Sequence, residues 1–346
     1  MLTNADISEL LAREAEQAKQ PLQRAFRRAA RGALLWPGQA ADLYREKKTL
    51  TELSGIGPYL DKLIIQWLRK SPELIEAPEI RRDFLTLAEI PAIRAKHPAF
   101  FSAVRGDLQM HTTWSDGSAS VEEMAKAAAM RGYSYIAITD HAKGLKIAGG
   151  IDEERLARQA HEIGEVNDKM RGNGLRVLRA IELNLSPDGR GDMDEAALQR
   201  LDIVLGCFHS ALRRKEGQTE RYMAALRNPS IDILGHPRGR IYNFRLGLQA
   251  DWQKVFALAA QLDKAVEVDC YPDRQDLNVD LLCLAKREGC RISLGTDSHG
   301  PSQLGFMDLG LAAIALAGID PNRVLNFLPV DELLRWSAMK RSTQAA

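Results

Sequence analysis

Seven short apolar runs recur along the chain, at 104–111, 133–141, 175–184, 201–210, 231–237, 265–272 and 291–299. Runs of this length bounded by turn residues read as buried strands. The stretches between them have helical periodicity. Segment 120–131 opens on Ser120, carries Glu123 three residues later and stops at Gly132, which predicts a capped helix. Segments 152–171, 194–200, 220–227, 252–262 and 278–288 follow the same logic. Alternating strands and helices predict parallel pairing. Parallel strands that close on themselves collect functional groups at their carboxyl ends. The expected fold class is α/β, a (β/α)7 barrel.

The ends of the runs carry the candidate chemistry. Strand alternation puts Asp107, Gln109 and His111 on one face of the first run and Leu108 and Met110 on the other, with a turn at Asp116-Gly117 to follow. Later runs end in Asp140-His141, in Glu182-Leu183-Asn184, in Cys207-Phe208-His209, in Gly235-His236 and in Asp297-Ser298-His299, while 265–272 carries Glu267 and Asp269 inside the run. One histidine at such a place is more often a core residue than a ligand. Five of the seven, at 111, 141, 209, 236 and 299, point to a polynuclear metal site on one rim. Mixed imidazole and carboxylate donors suit Zn, Mn or Fe better than Mg. Such a centre brings a bound water's pKa towards ~7 and neutralises charge during phosphate-ester hydrolysis. Lys146, Arg238, Arg240 and Arg274 lie just past strand ends, where they either clamp phosphate or simply face solvent.

Bulk composition favours no partner class, because 47 Lys and Arg balance 46 Asp and Glu in 346 residues. The distribution is more telling. Segment 19–48 carries eight basic side chains against only Asp42 and Glu46. Arg24, Arg27, Arg28 and Arg31 recur three or four apart, which makes a basic stripe on one helix face. The chain before Gly32 reads as a helix pair broken at Pro21, and 39–47 as a short helix. Next, 50–68 reads as two helices joined by Gly55-Ile56-Gly57, whose bare amides at a helix start could bind a phosphate oxygen. Proline-rich helical pieces lead from there to the barrel. The four cysteines, at 207, 270, 283 and 290, have no metal-ribbon spacing; Cys207 shares a strand face with His209. No signal peptide or membrane span is visible, so a cytoplasmic location is expected.

Residues 105–335 resemble the PHP (polymerase and histidinol phosphatase) domain, in the version carried by bacterial family-X DNA polymerases. The likeness rests on Gly106-Asp-Leu-Gln-Met-His-Thr-Thr-Trp-Ser-Asp-Gly, Thr139-Asp-His, Ala148-Gly-Gly-Ile-Asp-Glu-Glu-Arg-Leu, Ile181-Glu182, His209-Ser, Asp232-Ile-Leu-Gly-His-Pro-Arg-Gly-Arg, Glu267 to Leu277, Thr296-Asp-Ser-His and Val324-Leu-Asn-Phe-Leu. Residues 22–77 resemble the helix-hairpin-helix domain of the same polymerases, with Pro58 and Asp61 where a basic and a small residue are usual. No polymerase palm fits between the two parts. The resemblance implies a distorted, TIM-like (β/α)7 barrel at 101–346 and a small all-α nucleic-acid-binding domain with linker at 1–100.

It also implies two to three divalent ions. His111, Glu182 and Asp297 would hold the first. Glu182, His209 and His236 would hold the second, and Asp116, His141 and His299 the third. Glu182 and Asp297 would take the catalytic part, with attack by a metal-bridging hydroxide. Lys146, Arg240, Arg274, Gly55 and Gly57 would bind substrate. The family pattern opens with His-x-His, but Gln109 stands in the first place here, and its amide oxygen is a weaker ligand.

The expected function is hydrolysis of phosphate esters at nucleic-acid ends, as a 3′-5′ exonuclease or 3′-phosphatase in DNA repair. Single-stranded or gapped DNA is the expected partner, and no membrane is. The alternatives are a small-molecule phosphomonoesterase of histidinol-phosphatase type, and a DNA-binding module impaired by Gln109.

Overall fold

The computed structural model describes residues 1–344, with side chains described to residue 339. The chain divides into two units. One comprises Met1–Lys96 with Arg240–Leu246 and Pro272–Gln275, and the other begins at His97 and holds the remaining segments.

The second unit is the barrel. Its seven parallel strands follow sequence order: β1 (Gly106–Asp107), β2 (Tyr135–Ile138), β3 (Arg176–Asn184), β4 (Ile203–Cys207), β5 (Ile233–Leu234), β6 (Ala265–Asp269) and β7 (Arg291–Gly295). Alternate strand residues, among them Tyr135, Ala137, Leu178, Ala180, Ile203 and Leu205, fill the interior. Ile136, Ile138 and Val177 face outward onto helical residues Met124, Ala128, Ile163 and Val166.

The first run is mostly not strand. The Gln109 amide donates to Asp107 Oδ1 at 3.2 Å rather than to a neighbouring strand, which breaks the ladder. Leu108 therefore joins the interior and Met110 the outer layer, against the expected alternation. Burial pushes the Asp107 carboxyl up to about 6, against the pull of Thr296 and Gln109 hydrogen bonds.

Between β7 and β1 the seam is closed by Asn326, which is fully buried. Its side chain donates to Gly106 O (2.9 Å) and Leu294 O (2.8 Å) and accepts from Leu294 N (2.7 Å). Beyond the seam the chain pairs directly, with Asp297 N on Gln109 O and His111 N on Ser298 O.

The amino-terminal unit contributes five helices to the count: α1 (Asn4–Gln17), α2 (Leu22–Ala33), α3 (Ala40–Arg45), α4 (Pro58–Lys70) and α5 (Ile90–Lys96). The barrel unit continues with α6 (Pro98–Ala103), α7 (Val121–Met130), α8 (Glu153–Met170), α9 (Glu195–Leu198), α10 (Thr219–Arg227), α11 (Trp252–Gln261), α12 (Val279–Arg287), α13 (Met307–Ala317) and α14 (Val330–Gln344). The caps on α7 and α8 are the expected Ser120 and Asp152. The last helix lies under the barrel. Trp336 Nε1 donates to Asp263 O and Ser337 Oγ to Asp202 O, both at strand entries.

In the amino-terminal unit, α1 and α2 pair around Ile7, Leu11, Phe26 and Ala30. Arg81 grips Glu9 with two bonds, of 2.7 and 3.0 Å. The expected two-helix hairpin at 50–68 is only half formed. α4 follows the glycines, but a 3-10 turn, Leu50–Glu52, precedes them. Asp61 explains its own presence, because its Oδ1 accepts from Leu50 N at 2.7 Å and ties the turn to α4. The unit also takes in two segments that the sequence division left with 101–346. Tyr242 is buried here with its hydroxyl 2.8 Å from Ser8 Oγ, and Gln275 exchanges two hydrogen bonds with the Leu85 backbone. Among the described residues no helix is long and apolar enough to cross a membrane.

Candidate metal centre

Parallel strands deliver their exits to one rim, and the eight expected ligands meet there. Glu182, on β3, is their hub and is fully buried. Its Oε1 lies 2.6 Å from His236 Nε2 and 2.8 Å from His209 Nε2. Its Oε2 lies 3.1 Å from His141 Nδ1 and 3.3 Å from His111 Nε2. His111 Nε2 is also 2.9 Å from Asp297 Oδ1. Asp116 Oδ1 is 3.6 Å from His141 Nε2 and 3.4 Å from His299 Nε2.

Four overlapping groups have donor atoms within 4.8 Å of one another: His111 with Asp116, His141 and His299; His141 with Glu182 and His209; Glu182 with Cys207 and His236; and His111 with Glu182 and Asp297. The expected first and third sets reappear. The second is divided, with His209 beside His141 and His236 beside Cys207, although both imidazoles reach the same Glu182 oxygen.

The donors fit cations better than they fit each other. His111 is fully buried, yet neither ring nitrogen has a hydrogen-bond partner, and the same holds for His141 Nδ1 and Glu182 Oε2. Buried polar atoms are nearly always satisfied, so this many orphans in one place call for a bound ion. Burial opposes charge on Glu182, but the surrounding imidazoles, His141 foremost, hold its carboxyl well below the usual range. Burial likewise works against protonated His111, and Asp297 and Glu182 outweigh it and raise its pKa. His299 is raised against its burial by Asp116, whereas burial wins at His209 and lowers it.

The sequence did not show the supporting roles of several residues around the ligands. Asn184 Oδ1 sits 3.1 Å from His209 Nδ1, in the place of the orienting group that metal-binding imidazoles usually have. Asp140 looks like a ligand in sequence but faces away from the cluster. It accepts from Thr112 N (2.8 Å), Thr112 Oγ1 (2.6 Å), Ser115 N (3.2 Å) and Gln159 Nε2 (2.6 Å), and so folds the turn that carries Asp116. Gly117 closes that turn, since a Cβ there would lie 2.6 Å from the His111 backbone. Gln109 is fully buried; with its amide nitrogen turned to Glu267 it donates to Oε1 at 2.7 Å and to Oε2 at 3.0 Å. Glu267 Oε2 also accepts from His236 N at 2.7 Å. Burial pushes the Glu267 carboxyl well above its usual range.

The expected substrate-binding residues are divided between the two units. Lys146 is exposed, on the 3-10 turn Lys146–Ala148 that follows β2. Arg240 and Arg274 belong to the amino-terminal unit. Arg240 is buried there: Nε donates to Arg274 O and Nη2 to Asp83 O, both at 2.7 Å, and the guanidinium stacks on Phe84 at 3.9 Å. Holding phosphate would require it to leave those carbonyls. Gly55 (φ +82°) and Gly57, the uncapped start of α4, lie in the same unit.

A parallel barrel with imidazoles and carboxylates gathered around one buried glutamate defines a metal-dependent phosphoesterase. Residues 107–271 match the PHP domain. The chain is 38% identical over 224 residues to the DNA polymerase/3'-5' exonuclease PolX of Bacillus subtilis, a match covering 64% of this chain and 39% of that one. It is 30% identical over 236 residues to a protein named "Probable phosphatase" from Thermoanaerobacter sp. (strain X514), covering 63% of this chain and 89% of the relative. A histidinol phosphate phosphatase from Lactococcus lactis, crystallised with zinc, L-histidinol and phosphate, superposes with a TM-score of 0.48 at 17% identity, over 62% of this chain and 94% of that one. The chain belongs to the PHP-domain family.

Proposed function

We propose that this protein hydrolyses phosphate esters at nucleic-acid ends, as a 3′-5′ exonuclease or 3′-phosphatase. The observation that carries the reading is the convergence of five imidazoles with Asp116, Glu182 and Asp297, several of their donor atoms buried and unsatisfied. His111, Glu182 and Asp297 would hold one divalent ion, His209 and His236 with Glu182 a second, and Asp116, His141 and His299 a third. Ions so held would polarise a phosphoryl oxygen and acidify water. Glu182 sets the spacing, because its two oxygens serve different imidazoles. Asn184 fixes the His209 ring, and Asp140 fixes the loop that brings Asp116 inward. Asp297 Oδ1, 2.9 Å from His111 Nε2, would share the ion with that ring.

Two features favour a nucleic-acid substrate. One is the similarity to PolX, named for a 3'-5' exonuclease. The other lies within the amino-terminal unit. Arg24, Arg27, Arg28 and Arg31 are exposed on α2, and Gly32 of that helix faces Ser54 O, where a Cβ would be 3.5 Å away. The basic face thus adjoins the Gly55–Gly57 turn, with Arg31 tied to Asp273. Small-ester hydrolysis is the second reading, favoured by relatives named as phosphatases that the chain covers almost end to end.

The test is purified protein with Mn on end-labelled single-stranded and gapped DNA, beside a small phosphomonoester. His236→Ala should abolish hydrolysis with little change in DNA affinity. Arg27→Gln with Arg28→Gln should weaken DNA binding and flatten its salt dependence. Phosphate release from the small ester alone would replace the first reading with the second.

A further inference from the structure

Arg221 on α10 is 5% exposed, and its charge has no carboxylate partner among the described residues. Its Nη2 donates to Ser210 O at 2.7 Å, and its guanidinium stacks over Phe208 at 4.0 Å. Nε and Nη1 are buried with no hydrogen-bond partner. A guanidinium keeps its charge and offers five donors in a planar fork. Contact with an aromatic face offsets only part of the desolvation of such a group. Burial lowers its pKa, and the neighbouring charge of Arg214 adds to that.

The position of this orphan is informative. Phe208 and Ser210 flank His209, a candidate ligand. Past Ser210 the chain turns through Ala211 in the left-handed region (φ +54°) and exposes Arg213, Arg214 and Lys215. Glu216 is the one acid on this loop, and it stands 3.6 Å from Arg214. A cationic loop therefore leaves the rim one residue after a metal-binding histidine, backed by a buried cation with unspent donors. Planar forks of this kind match phosphate oxygens with charge-assisted bonds.

We propose that Arg221, Arg214 and Lys215 form an anion subsite beside the metal centre, and that it takes a second phosphate of the substrate, the one next to the ester being cut. The inference rests on the proposed phosphoesterase reading and deepens it. It makes substrates with two or more phosphates, nucleic-acid ends above all, better than simple monoesters. It also gives the loop after β4 a role in substrate binding.

The test compares thymidine 3′,5′-bisphosphate with thymidine 3′-monophosphate, using wild type, the double variant Arg214→Gln/Lys215→Gln, and Arg221→Gln. The expected result is a preference for the bisphosphate in wild type, cut by roughly ten-fold in kcat/KM ratio in the double variant through KM. Arg221→Gln should lose the same preference, and Arg221→Lys should recover part of it. Equal loss on both substrates, or an unchanged ratio, overturns the subsite while leaving phosphoesterase activity in place. If wild type hydrolyses no phosphate ester, the proposed function fails first. Binding of a labelled single-stranded oligonucleotide then decides the subsite separately. Two lost phosphate contacts should lower the salt slope of the double variant by about 1.4, at about 0.7 per contact. A slope equal to wild type refutes it.

Discussion

Replacing Gln109 with histidine tests whether position 109, two residues before His111, faces the ions. Gln109 is fully buried, and its amide bonds Glu267 at 2.7 and 3.0 Å. Space is tight, since a Cβ on Gly295 would lie 2.6 Å from Gln109 Cβ. Imidazole is close to glutamine in reach and keeps a donor for Glu267, which would fix its tautomer and aim the other nitrogen at the cluster. It exchanges a neutral amide oxygen for a stronger nitrogen ligand. Outer-shell partners alone change metal affinity by about 10- to 100-fold, and an added ligand should do at least as much, about 1.4–2.7 kcal/mol. Overpacking by the ring works the other way, at about 1–3 kcal/mol of stability, so folding must be read separately. The assay is metal content after dialysis against a chelator, with competition titration for each ion and circular dichroism for the fold. Gln109→His should retain one more ion class, or hold it at least ten-fold tighter. A folded variant with wild-type content and affinity would mean that position 109 does not address the ions, and that its pairing with Glu267 is purely structural.

Three further outcomes follow from the same geometry. Asp140→Asn replaces an acceptor of four or more hydrogen bonds, so it should destabilise the protein by about 1–3 kcal/mol in thermal unfolding; it should also release the ion held by Asp116 before the others. Asn326→Ala removes the seam between β7 and β1 and should lower stability by at least as much, with metal content at saturation unchanged. Proton uptake gives a pH test. His111 and His299 have raised pKa values in the ion-free protein, so their contribution to its stability is full below the unfolded histidine pKa of about 6.5 and is lost as pH rises through the folded values. Ion binding has the opposite sign, because it needs the neutral rings: affinity should rise with pH, and calorimetry in buffers of different ionisation enthalpy should show protons released per ion bound.

The order of strands and helices was legible because the elements carry their own periods and several helices their own caps; Ser120, Asp152 and Asn278 cap the helices that follow them. What was not legible depends on partners distant in sequence. Nothing local shows that Asn326 bridges two strands, or that Trp336 and Ser337 close the floor of the barrel. The segment 240–246 follows β5 in the chain, yet Tyr242 packs with Ile7 and Phe26. Hairpin glycines at 55 and 57 were visible, but not that Asp61 would tie down a 3-10 turn instead of a helix. At the centre, five histidines were readable from their shared place at run ends, and the three acids from the family resemblance. The exception is instructive: Asp140 and His141 are adjacent, so an extended backbone sends them to opposite sides, and only one can face the ions.

The ends of two strands explain how the remaining ligands are aimed. β5 and β7 stop at or next to a glycine, and the donors beyond them sit in the left-handed region, His236 at φ +21° and Asp297 at φ +50°. Such conformations cost of order 1–3 kcal/mol each and persist only where packing holds them. The glycines supply that packing. A Cβ on Gly235 would meet Cys207 Sγ at 2.3 Å, and one on Gly295 would meet Glu267 Oε1 at 2.4 Å. Each strand therefore ends against a wall that only glycine can touch, and the chain turns sharply enough to bring a strained donor onto the rim. Gly235-His236 and Gly295-Thr296-Asp297 are thus one device used twice, and the strain falls on the residues that an ion would hold in place.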